Sequence, residues 1–444
     1  MSTTRPSAAI IDRMIDLAAR PPASLPADAL AMARASLTDW LVCGRAAVDE
    51  PVAQKLRAFA AQEGDGGPAS LFGGKMAPAR TAALVNGATS HALDYDDTHF
   101  DHVGHLSVGI YPAALAAGEA ADASAGAVVD AFLVGAEAAI RLGCVLGAQH
   151  YNRGFHQTAT AGAFGATMAA ARLGGLSRSK VRAALGLCAT RASGLKSQFG
   201  TMGKPLNAGI AASNGVEAAA LAALGVTSAD DGVLGAQGFV PTHADAPDEA
   251  AFGEDDGFRF LTNSYKFHAC CHGTHAMIEA LAEARDAHGL TLSDVASLRV
   301  ATNPRWLRVC DIKAPRTGLE VKFSYVWLAG MVLAGMRTGD DRIYADALAG
   351  DALLAAFADR VEVVADEGVS DQQAAVTLHL TSGKAVEASH DLAAPILPEV
   401  LAARIAAKAR AVLPREAEAL LALTGRLGGV SARDLGAFVR SGQL

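Results

Sequence analysis

Aromatic residues are scarce in this chain of 444 residues, of which only 5% are Phe, Trp or Tyr. Since 51% of the residues are nevertheless hydrophobic, much of the interior has to be built from alanine, which lets neighbouring helices pack closely. The chain is also too long for one hydrophobic core, because single cores stop growing near roughly 250–300 residues. The composition therefore predicts a compact protein with two domains.

Cysteine and positive charge are also in short supply. The six cysteines, at positions 43, 144, 188, 270, 271 and 310, are too scattered for a disulfide framework and are expected to be reduced thiols. A net charge of −8 without a long basic block gives no electrostatic footprint for nucleic acid or for an anionic membrane surface. We expect neither nucleic acid nor a membrane surface as a partner.

Long uncharged apolar runs are missing as well. None reaches the roughly 18 residues that a bilayer-spanning helix needs, because charged residues or histidine interrupt every alanine-rich stretch. Near the N-terminus, Asp12 and Arg13 break the apolar segment that a signal peptide requires. These observations predict a cytoplasmic protein that does not span a membrane.

Several common cofactor and catalytic motifs are absent from the sequence. Gly203-Lys204 is followed by Pro rather than by Ser or Thr, and it lacks the spaced upstream glycine of a phosphate-binding P-loop. No Gly-x-Gly-x-x-Gly follows a predicted strand, and no Gly-x-Ser-x-Gly elbow of a serine hydrolase is present. No nucleotide, dinucleotide or other cofactor is expected.

Helical periodicity runs through the chain from about residue 6 to 226, with breaks at Gly or Pro and no strand pattern. The clearest predicted helices are Asp28–Cys43, Pro78–Asp97, Ala127–Leu146, Ser177–Arg191, which opens with a potential capping serine, and Pro205–Leu224. The stretch 1–262 is therefore predicted to form an all-helical domain.

The pattern changes after the polar, Gly-, Asp- and Pro-rich stretch 227–265. Four segments then alternate like strands, and helices that would cover the sheet are predicted at 271–287 and 321–336. The strand-like segments are 297–302, 361–364, 375–380 and 385–388, and the last two form a predicted hairpin. Helical periodicity returns at Pro398. We predict a mainly α protein in which an all-helical domain, 1–262 with 397–444, accompanies a smaller inserted α+β domain, 263–396.

Ionisable residues are densest at positions 91–105, where four His and four Asp share fifteen residues. On a helix, Asp94, Asp97 and Thr98 would lie on one face and present a carboxylate to a partner base. A solvated loop would carry the same residue types, so this alternative stays open for any single member of the cluster.

Four basic residues, His105, His156, Lys204 and Lys266, each precede a predicted helix start by a few positions. Helix N-termini attract anions through their free N–H groups and the helix dipole. We hypothesise that these four positions, far apart in sequence, converge on one carboxylate-binding cavity that holds two imidazoles. The alternative is that both lysines are ordinary surface residues.

A third cluster, Lys266 to His275, contains adjacent cysteines and three histidines. Zinc binding is one interpretation, although the usual Cys-x-x-Cys spacing is missing. The other interpretation places His268, His272 and His275 on one helix face as buried, hydrogen-bonded structural residues.

Seven short segments stand out as a set: Gly74-Lys75, Val85-Asn86-Gly87, His91 to Thr98, Gly104-His105, Gly154-Phe155-His156, Phe199 to Pro205 and Tyr265-Lys266. Through them the chain resembles the MmgE/PrpD family, which includes 2-methylcitrate dehydratases, cis-aconitate decarboxylase and iminodisuccinate epimerase. The resemblance spans most of the chain. It implies a large helical domain formed from both chain ends, a smaller inserted α+β domain, a homodimer and a metal-independent enzyme.

Carried over position by position, the resemblance implies an active site with the catalytic residues Asp94, His105, His156, Lys204 and Lys266, and with Thr98 nearby. The two lysines and Thr98 would also bind the substrate, together with an aromatic residue for which Tyr325 and Trp327 are the candidates. Three neighbours depart from the common family pattern: Leu106 and Gln157 replace prolines, and Asn207 stands where a histidine is frequent. These departures bear on the substrate more than on the reaction class.

The resulting hypothesis is a lyase or isomerase that abstracts a proton next to a carboxylate of a small di- or tricarboxylic acid. One histidine would take the proton, the second would complete the reaction, and the lysines would stabilise the electron-rich intermediate. A hydro-lyase resembling 2-methylcitrate dehydratase is favoured, with an epimerase of a substituted succinate or a cis-aconitate-type decarboxylase as alternatives. More remote alternatives are a metallohydrolase that uses residues 91–105 and a non-catalytic carboxylate-binding protein.

Overall fold

The computed structural model describes residues 6–64, 66–253 and 257–443. The helices are α1 Pro6–Ala19, α2 Ala27–Ala46, α3 Pro51–Gln62, α4 Ala79–Ser90, α5 Ser107–Ala120, α6 Ala125–Arg153, α7 Thr160–Leu173, α8 Arg178–Ala189, α9 Gly203–Ala223, α10 Phe239–His243, α11 His275–His288, α12 Pro304–Cys310, α13 Gly318–Val321, α14 Tyr325–Leu333, α15 Ala352–Ala358, α16 Pro398–Val412, α17 Ala417–Gly425 and α18 Ala432–Ser441. The strands are β1 Ala69–Ser70, β2 Met76–Ala77, β3 Val295–Thr302, β4 Val361–Ala365, β5 Gln373–Leu380 and β6 Ala385–Asp391. The prediction of a mainly α protein is confirmed.

The chain divides into two compact units. Unit 1 comprises Met1–Tyr265 and Leu397–Leu444, and unit 2 comprises Lys266–Ile396. Helices α16 and α17 pack against α2, and α18 packs against α5, so the C-terminal segment is part of the helical core of unit 1.

Small residues allow the central helices of unit 1 to approach closely, as the composition suggested. Helix α6 meets α7 at Gly135 and Gly165, where a Cβ on Gly135 would lie 2.4 Å from the carbonyl oxygen of Gly165. Helix α4 meets α9 at Gly87 and Gly209, where a Cβ on Gly87 would lie 2.7 Å from the Cα of Gly209. Larger side chains at these positions would force the helices apart.

Helix α6 is, among the described helices, the one long and apolar enough to cross a membrane by length and composition. Since 83% of its most apolar window is buried inside the protein, its apolar character is accounted for by packing in the core.

Unit 2 contains a four-stranded sheet with the strand order β4-β3-β5-β6. Strands β5 and β6 pair antiparallel, with Thr377 opposite Glu387, which confirms the predicted hairpin. Helix α11 packs against β5 and β6, helix α14 packs against β4, and the two helices contact each other. The predicted helix 321–336 is too long, because α13 ends at Val321 and α14 begins only at Tyr325. The Ser324 side chain caps α14 by accepting a hydrogen bond from the Trp327 N–H.

Three further expectations for the helical part are corrected. The stretch predicted to lack strands contains the short antiparallel pair β1–β2. Ser177 does occupy the position before α8, but its side chain makes no capping hydrogen bond and pairs instead with Ser179. Helix α9 begins at Gly203, so Lys204 lies within its first turn rather than before it.

Candidate active site

The histidine- and aspartate-rich segment 91–105 forms the connection between α4 and α5. Helix α4 ends at Ser90 and His91 is its C-cap residue, so the predicted helix Pro78–Asp97 is too long. Asp94 adopts a φ of 51°, a left-handed conformation that is incompatible with a continuing helix. The expectation that Asp94, Asp97 and Thr98 share a helix face is therefore wrong.

Asp96 lies at the centre of this connection, fully buried, with two imidazoles against its carboxylate. His91 Nδ1 is 2.8 Å from Asp96 Oδ1, and His105 Nδ1 is 2.8 Å from Asp96 Oδ2. Burial disfavours the charge, but the neighbouring His91 and His105 hold the pKa of Asp96 well below its usual range. An ionised carboxylate only accepts hydrogen bonds, so the proton of the His91–Asp96 hydrogen bond resides on the imidazole.

The acceptors around His105 determine which ring nitrogen carries the proton. Its Nδ1 donates to the main-chain carbonyl oxygen of Asp97 at 2.7 Å, in addition to facing Asp96. In the neutral ring the proton is therefore on Nδ1, and Nε2 carries a lone pair. Nε2 lies 3.6 Å from Asp94 Oδ1.

Asp97 anchors the start of α5 and so positions His105. Its carboxylate accepts hydrogen bonds from the Ser107 N–H at 3.0 Å, from the Ser107 hydroxyl at 2.7 Å and from the Asn263 amide at 2.8 Å. Burial raises the pKa of Asp97. These contacts hold the backbone around His105 in place, so Asp97 is a positioning residue.

Lys204, in the first turn of α9, brings a positive charge to the same place. Its Nζ is 2.7 Å from Asp94 Oδ2 and 5.6 Å from the centre of the Phe199 ring. The Lys204 side chain is 18% exposed and that of Asp94 is 44% exposed, so the ion pair lies at the solvent-facing side of the cluster. A ligand carboxylate that approaches from solvent would meet this ammonium group.

His156 precedes α7 and is buried beside Phe199, with the two rings 5.0 Å apart in an edge-to-face arrangement. The Asn207 amide nitrogen lies 3.2 Å from His156 Nδ1 and also donates to the Leu195 carbonyl oxygen at 3.2 Å, which fixes the orientation of the amide. His156 Nδ1 is therefore an acceptor, and the proton of the neutral ring is on Nε2. Burial lowers the pKa of His156 well below its usual range, and the nearby His91 reinforces this effect.

A buried ion pair holds the backbone of the connection from the opposite end of the chain. Lys408, on α16, donates from Nζ to Asp39 Oδ1 and to the Tyr95 carbonyl oxygen, both at 2.6 Å. Burial raises the pKa of Asp39 to about 6 even though Lys408 opposes this effect. Lys408 thus holds the peptide that joins Tyr95 to Asp96 in place.

The structure brings together four of the predicted site residues, Asp94, His105, His156 and Lys204, within unit 1. Asp94 contacts His105 and Lys204 directly. The His91 ring lies near the rings of both other histidines, with its centroid 4.5 Å from that of His105 and 6.2 Å from that of His156. Thr98 pairs with Ser264 through two main-chain hydrogen bonds of 2.8 and 2.9 Å. The catalytic roles of all these residues stay predictions.

Two of the predicted residues belong to unit 2. Lys266 is the first residue of that unit and is buried. Tyr325 is also buried, and its hydroxyl donates to the Gly273 carbonyl oxygen at 2.6 Å and pairs with the Thr302 hydroxyl at 3.0 Å. Their assignment to the site stays a prediction.

Four residues of the cluster were not among the predicted site residues: His91, Asp96, Asn207 and Lys408. A signal was present for the first two, since they lie in the dense 91–105 segment, and for Asn207, which departs from the family pattern. Lys408 had no signal, because a single lysine in an amphipathic helix resembles a surface residue.

The histidines of the third cluster are close together in unit 2, although only His275 belongs to α11. Ring centroids are 5.0 Å apart for His268 and His275, and 4.7 Å apart for His272 and His275. His268 bonds to Thr338 and Glu279, as expected for a structural residue. The predicted single helix face is wrong, because α11 is preceded by a 3-10 turn at His272–Thr274.

One group of side chains in the described part of the chain has a spacing compatible with a metal ion. His91, Asp94, Asp96 and His105 each offer one ligand atom, and these atoms lie within 4.8 Å of one another. Lys204 already neutralises Asp94, and Asp96 already accepts from the Nδ1–H of His91.

Comparison with known proteins gives two domain matches. Residues 17–250 match the MmgE/PrpD N-terminal domain, and residues 268–419 match the MmgE/PrpD C-terminal domain. The chain is 30% identical over 276 residues to a cis-aconitate decarboxylase of Aspergillus terreus, covering 58% of this chain and 56% of that protein. It is 30% identical over 279 residues to the cis-aconitate decarboxylase-like protein oryM of Aspergillus oryzae, covering 59% of this chain and 58% of that protein.

A third relative is the cis-aconitate decarboxylase of Homo sapiens, with 36% identity over 154 residues, which are 34% of this chain and 32% of that protein. The alignments thus span little more than half the length of the fungal relatives. The two domain matches, in contrast, together extend over most of the sequence. The chain therefore belongs to the MmgE/PrpD family.

Proposed function

We propose that this protein is a lyase that acts on a small di- or tricarboxylic acid by proton transfer next to a carboxylate. The observation that carries the proposal is the pair of histidines in opposite tautomers, His105 with a bare Nε2 and His156 with a protonated Nε2. The relatives named cis-aconitate decarboxylase support a carboxylic acid as the substrate.

Lys204 is proposed to bind a substrate carboxylate. Its ammonium group lies beside Asp94 at the solvent-facing side of the cluster, so an incoming carboxylate can replace or share that ion pair. A cation there also stabilises the negative charge that develops on the carboxylate when the adjacent carbon loses a proton. Lys266 is proposed as the second carboxylate contact, as the family resemblance implies.

His105 is proposed as the general base. Its Nδ1–H is held by the Asp97 carbonyl oxygen and faces the Asp96 carboxylate, so the lone pair on Nε2 is available to take a proton. The adjacent carboxylates stabilise the imidazolium that forms, in the same way that an oriented carboxylate supports a catalytic histidine elsewhere.

His156 is proposed as the hydrogen-bond donor to the departing group. Burial keeps the ring neutral at neutral pH, and Asn207 occupies Nδ1 as a donor, so Nε2–H is a hydrogen-bond donor that polarises the departing group, as a neutral imidazole can. A base and a donor prepared in these states suit dehydration. His105 removes the carbon-bound proton, His156 Nε2–H hydrogen-bonds the departing hydroxyl, and the His105 imidazolium passes its proton to that hydroxyl, so that water leaves and both rings end neutral. This is the reason to place a hydro-lyase resembling 2-methylcitrate dehydratase first.

Two alternative reactions use the same groups differently. In a decarboxylation, CO₂ leaves, its bonding electrons remain on the carbon, and His105, which has taken up a proton from solvent, protonates that carbon. In an epimerisation, His105 removes a proton from one face and releases it to solvent, while a proton from solvent reaches the other face beside His156. The names of the relatives favour decarboxylation between these two.

The proposal is tested by incubating the protein in D₂O with citrate, 2-methylcitrate, cis-aconitate, tartrate and aminosuccinate, and following each acid by proton NMR. We expect one acid to exchange its α-proton or to form product, and the product identifies the reaction. His105→Asn should abolish the exchange, whereas His156→Gln should retain exchange and lose product. A protein that processes none of these acids, at any concentration tested, would contradict the proposal.

A metallohydrolase is the second candidate, favoured by the spacing of His91, Asp94, Asp96 and His105. Elemental analysis and activity after chelation separate the two functions. The lyase is expected to retain its activity after chelation, and a stoichiometric metal whose removal abolishes turnover would favour the hydrolase.

A further inference from the structure

His91 is the third imidazole of the candidate active site, and the proposed reaction gives it no role. Its side chain is completely shielded from solvent. One ring nitrogen, Nδ1, is hydrogen-bonded to Asp96 Oδ1 at 2.8 Å. The other, Nε2, is buried and has no hydrogen-bond partner within the described part of the protein.

The proton of the His91 ring resides on Nδ1. Asp96 is an ionised carboxylate that only accepts, so the 2.8 Å contact requires a donor on the imidazole. Burial lowers the pKa of His91 to about 4, which leaves the ring neutral at neutral pH. Nε2 is consequently a buried lone pair, and a buried acceptor without a donor is destabilising until one is supplied.

The ring lies beside both proposed catalytic histidines. Its centroid is 4.5 Å from that of His105, the proposed base, and 6.2 Å from that of His156, the proposed donor. A small acid bound between these two groups would lie next to the His91 ring.

We propose that His91 is a specificity-determining residue, whose Nε2 accepts a hydrogen bond from a hydroxyl or N–H group of the bound carboxylic acid. This inference rests on the proposed function. A substrate carboxylate carries no proton at neutral pH and is repelled by the lone pair, so His91 selects acids that have a protic substituent. A site built to bond a hydroxyl rejects the analogue that lacks it, because its own polar group is then left unpaired.

His91→Asn removes the acceptor and keeps the rest of the arrangement. The side-chain amide nitrogen of asparagine takes the place of Nδ1 and can still donate to Asp96, so the carboxylate that faces His105 keeps a partner. No atom of asparagine reaches the position of Nε2. His91→Gln is the complementary variant, because its amide oxygen reaches that position and restores an acceptor.

The test compares two ligands that differ in a single hydroxyl group, citrate and propane-1,2,3-tricarboxylate, by calorimetric titration. We expect the wild-type protein to bind citrate at least about tenfold more tightly. In His91→Asn the ratio of the two dissociation constants should fall towards one, through weaker binding of citrate alone, and His91→Gln should restore part of it.

The proposal is overturned if wild type binds both acids equally, or if His91→Asn leaves the ratio unchanged; in either case a structural water, rather than the ligand, satisfies Nε2. The wild-type comparison keeps the proposal falsifiable even if a variant does not fold. A protein that binds neither acid and processes no acid of the D₂O panel overturns the proposed function and this inference together. If the protein turns over an acid of the D₂O panel but His91→Asn leaves the ratio of the two dissociation constants unchanged, the inference is overturned and the proposed function stands.

Discussion

At the scale of single residues, Asn207 shows how a neutral side chain can set the chemistry of its neighbour. Its amide is held by the Leu195 carbonyl oxygen and so presents an N–H to His156 Nδ1. The tautomer of a histidine is fixed by the partner of its other nitrogen. A residue that presents an acceptor at this position would reverse the tautomer.

Asn207→Asp provides that reversal. The new carboxylate accepts from Nδ1, so the proton moves there and Nε2 loses it. We expect product formation to fall at least about tenfold, since a positioned hydrogen-bond donor to the departing group contributes at least that much. Exchange of the substrate α-proton in D₂O should continue, because His105 is unaltered. Steady-state rates and proton NMR on the same samples measure both effects.

Asn214, further along α9, offers a matched control. Its amide donates to the Arg191 carbonyl oxygen at 2.9 Å and has no histidine partner. Asn214→Asp therefore reports the general cost of a carboxylate on this helix. Equal product formation by Asn207→Asp and the wild type would show that the tautomer of His156 is irrelevant to the reaction.

At the scale of elements, the connection between α4 and α5 is held in a conformation that its own residues disfavour. Asp94 and the β-branched Val103 both have positive φ angles, of 51° and 54°. Such residues persist where surrounding contacts over-determine the backbone, and they cluster at functional sites. One of these contacts is the hydrogen bond from Lys408 to the Tyr95 carbonyl oxygen.

Lys408→Met removes this hydrogen bond and leaves Asp39 buried without its cation. We expect a destabilisation of about 3–5 kcal/mol, the usual cost of breaking one side of a buried ion pair. Turnover should fall through kcat more than through KM, because the residue positions Asp94 and Asp96 and does not touch substrate. Denaturant unfolding and steady-state kinetics measure the two effects separately.

The double variant Asp39→Asn/Lys408→Met separates stability from positioning. Removing both charges leaves no uncompensated carboxylate, so much of the lost stability should return. In the double variant the Tyr95 carbonyl oxygen still lacks its donor, so kcat should stay low. The single variant Lys408→Arg keeps a donor at this position and should retain part of the wild-type kcat. A double variant with the wild-type kcat would refute the positioning role.

The elements themselves were predictable where a local pattern determines them. Helix α2 and the β5–β6 hairpin lie close to their predicted positions, because apolar spacing and turn residues are local signals. The prediction for α4 extended to Asp97, whereas the helix ends at Ser90. Tertiary contacts hold the residues after Ser90 outside the helix. Asp97 bonds to Ser107 of α5, Lys408 bonds to the Tyr95 carbonyl oxygen, and neither contact has a signature in the local sequence.

At the scale of the whole molecule, buried histidines dominate the response of unit 1 to acid. Burial lowers the pKa of His91 and of His150 to about 4, and that of His102 to about 3. In the unfolded chain each group has a pKa near 6.5. Between pH 6.5 and about 4 the unfolded chain therefore binds protons that the folded protein does not, so stability decreases as the pH falls through this window.

We expect the free energy of unfolding to fall by about 2–5 kcal/mol between pH 7 and pH 5. Asp39, whose pKa is raised to about 6, and Asp97, whose pKa burial also raises, act in the opposite sense, but the three histidines outweigh them. Urea unfolding at the two pH values measures the change. His102→Asn, which can still donate to the Ala139 carbonyl oxygen, should give a flatter profile. Equal stability at both pH values would be inconsistent with neutral, buried histidines.

The composition of the candidate site was predictable in part. His105, His156, Lys204 and Asp94 were identified from their residue types, their positions before helices and the family resemblance, and they do lie in one region of unit 1. Their pairing was not predictable, because the 91–105 segment offers four aspartates. Both Asp94 and Asp96 face His105. Which carboxylates do so depends on the backbone path of the connection between α4 and α5.

The return of α16 to the helical core has a consequence for the order of events during synthesis. Lys408 lies 313 positions after Tyr95, so a ribosome has made all of unit 2 before it makes the residue that fixes the Tyr95 peptide. Domains generally fold as they emerge. The contiguous unit 2 can therefore mature on the nascent chain before Lys408 is made, whereas the backbone around Asp96 gains this anchor only afterwards.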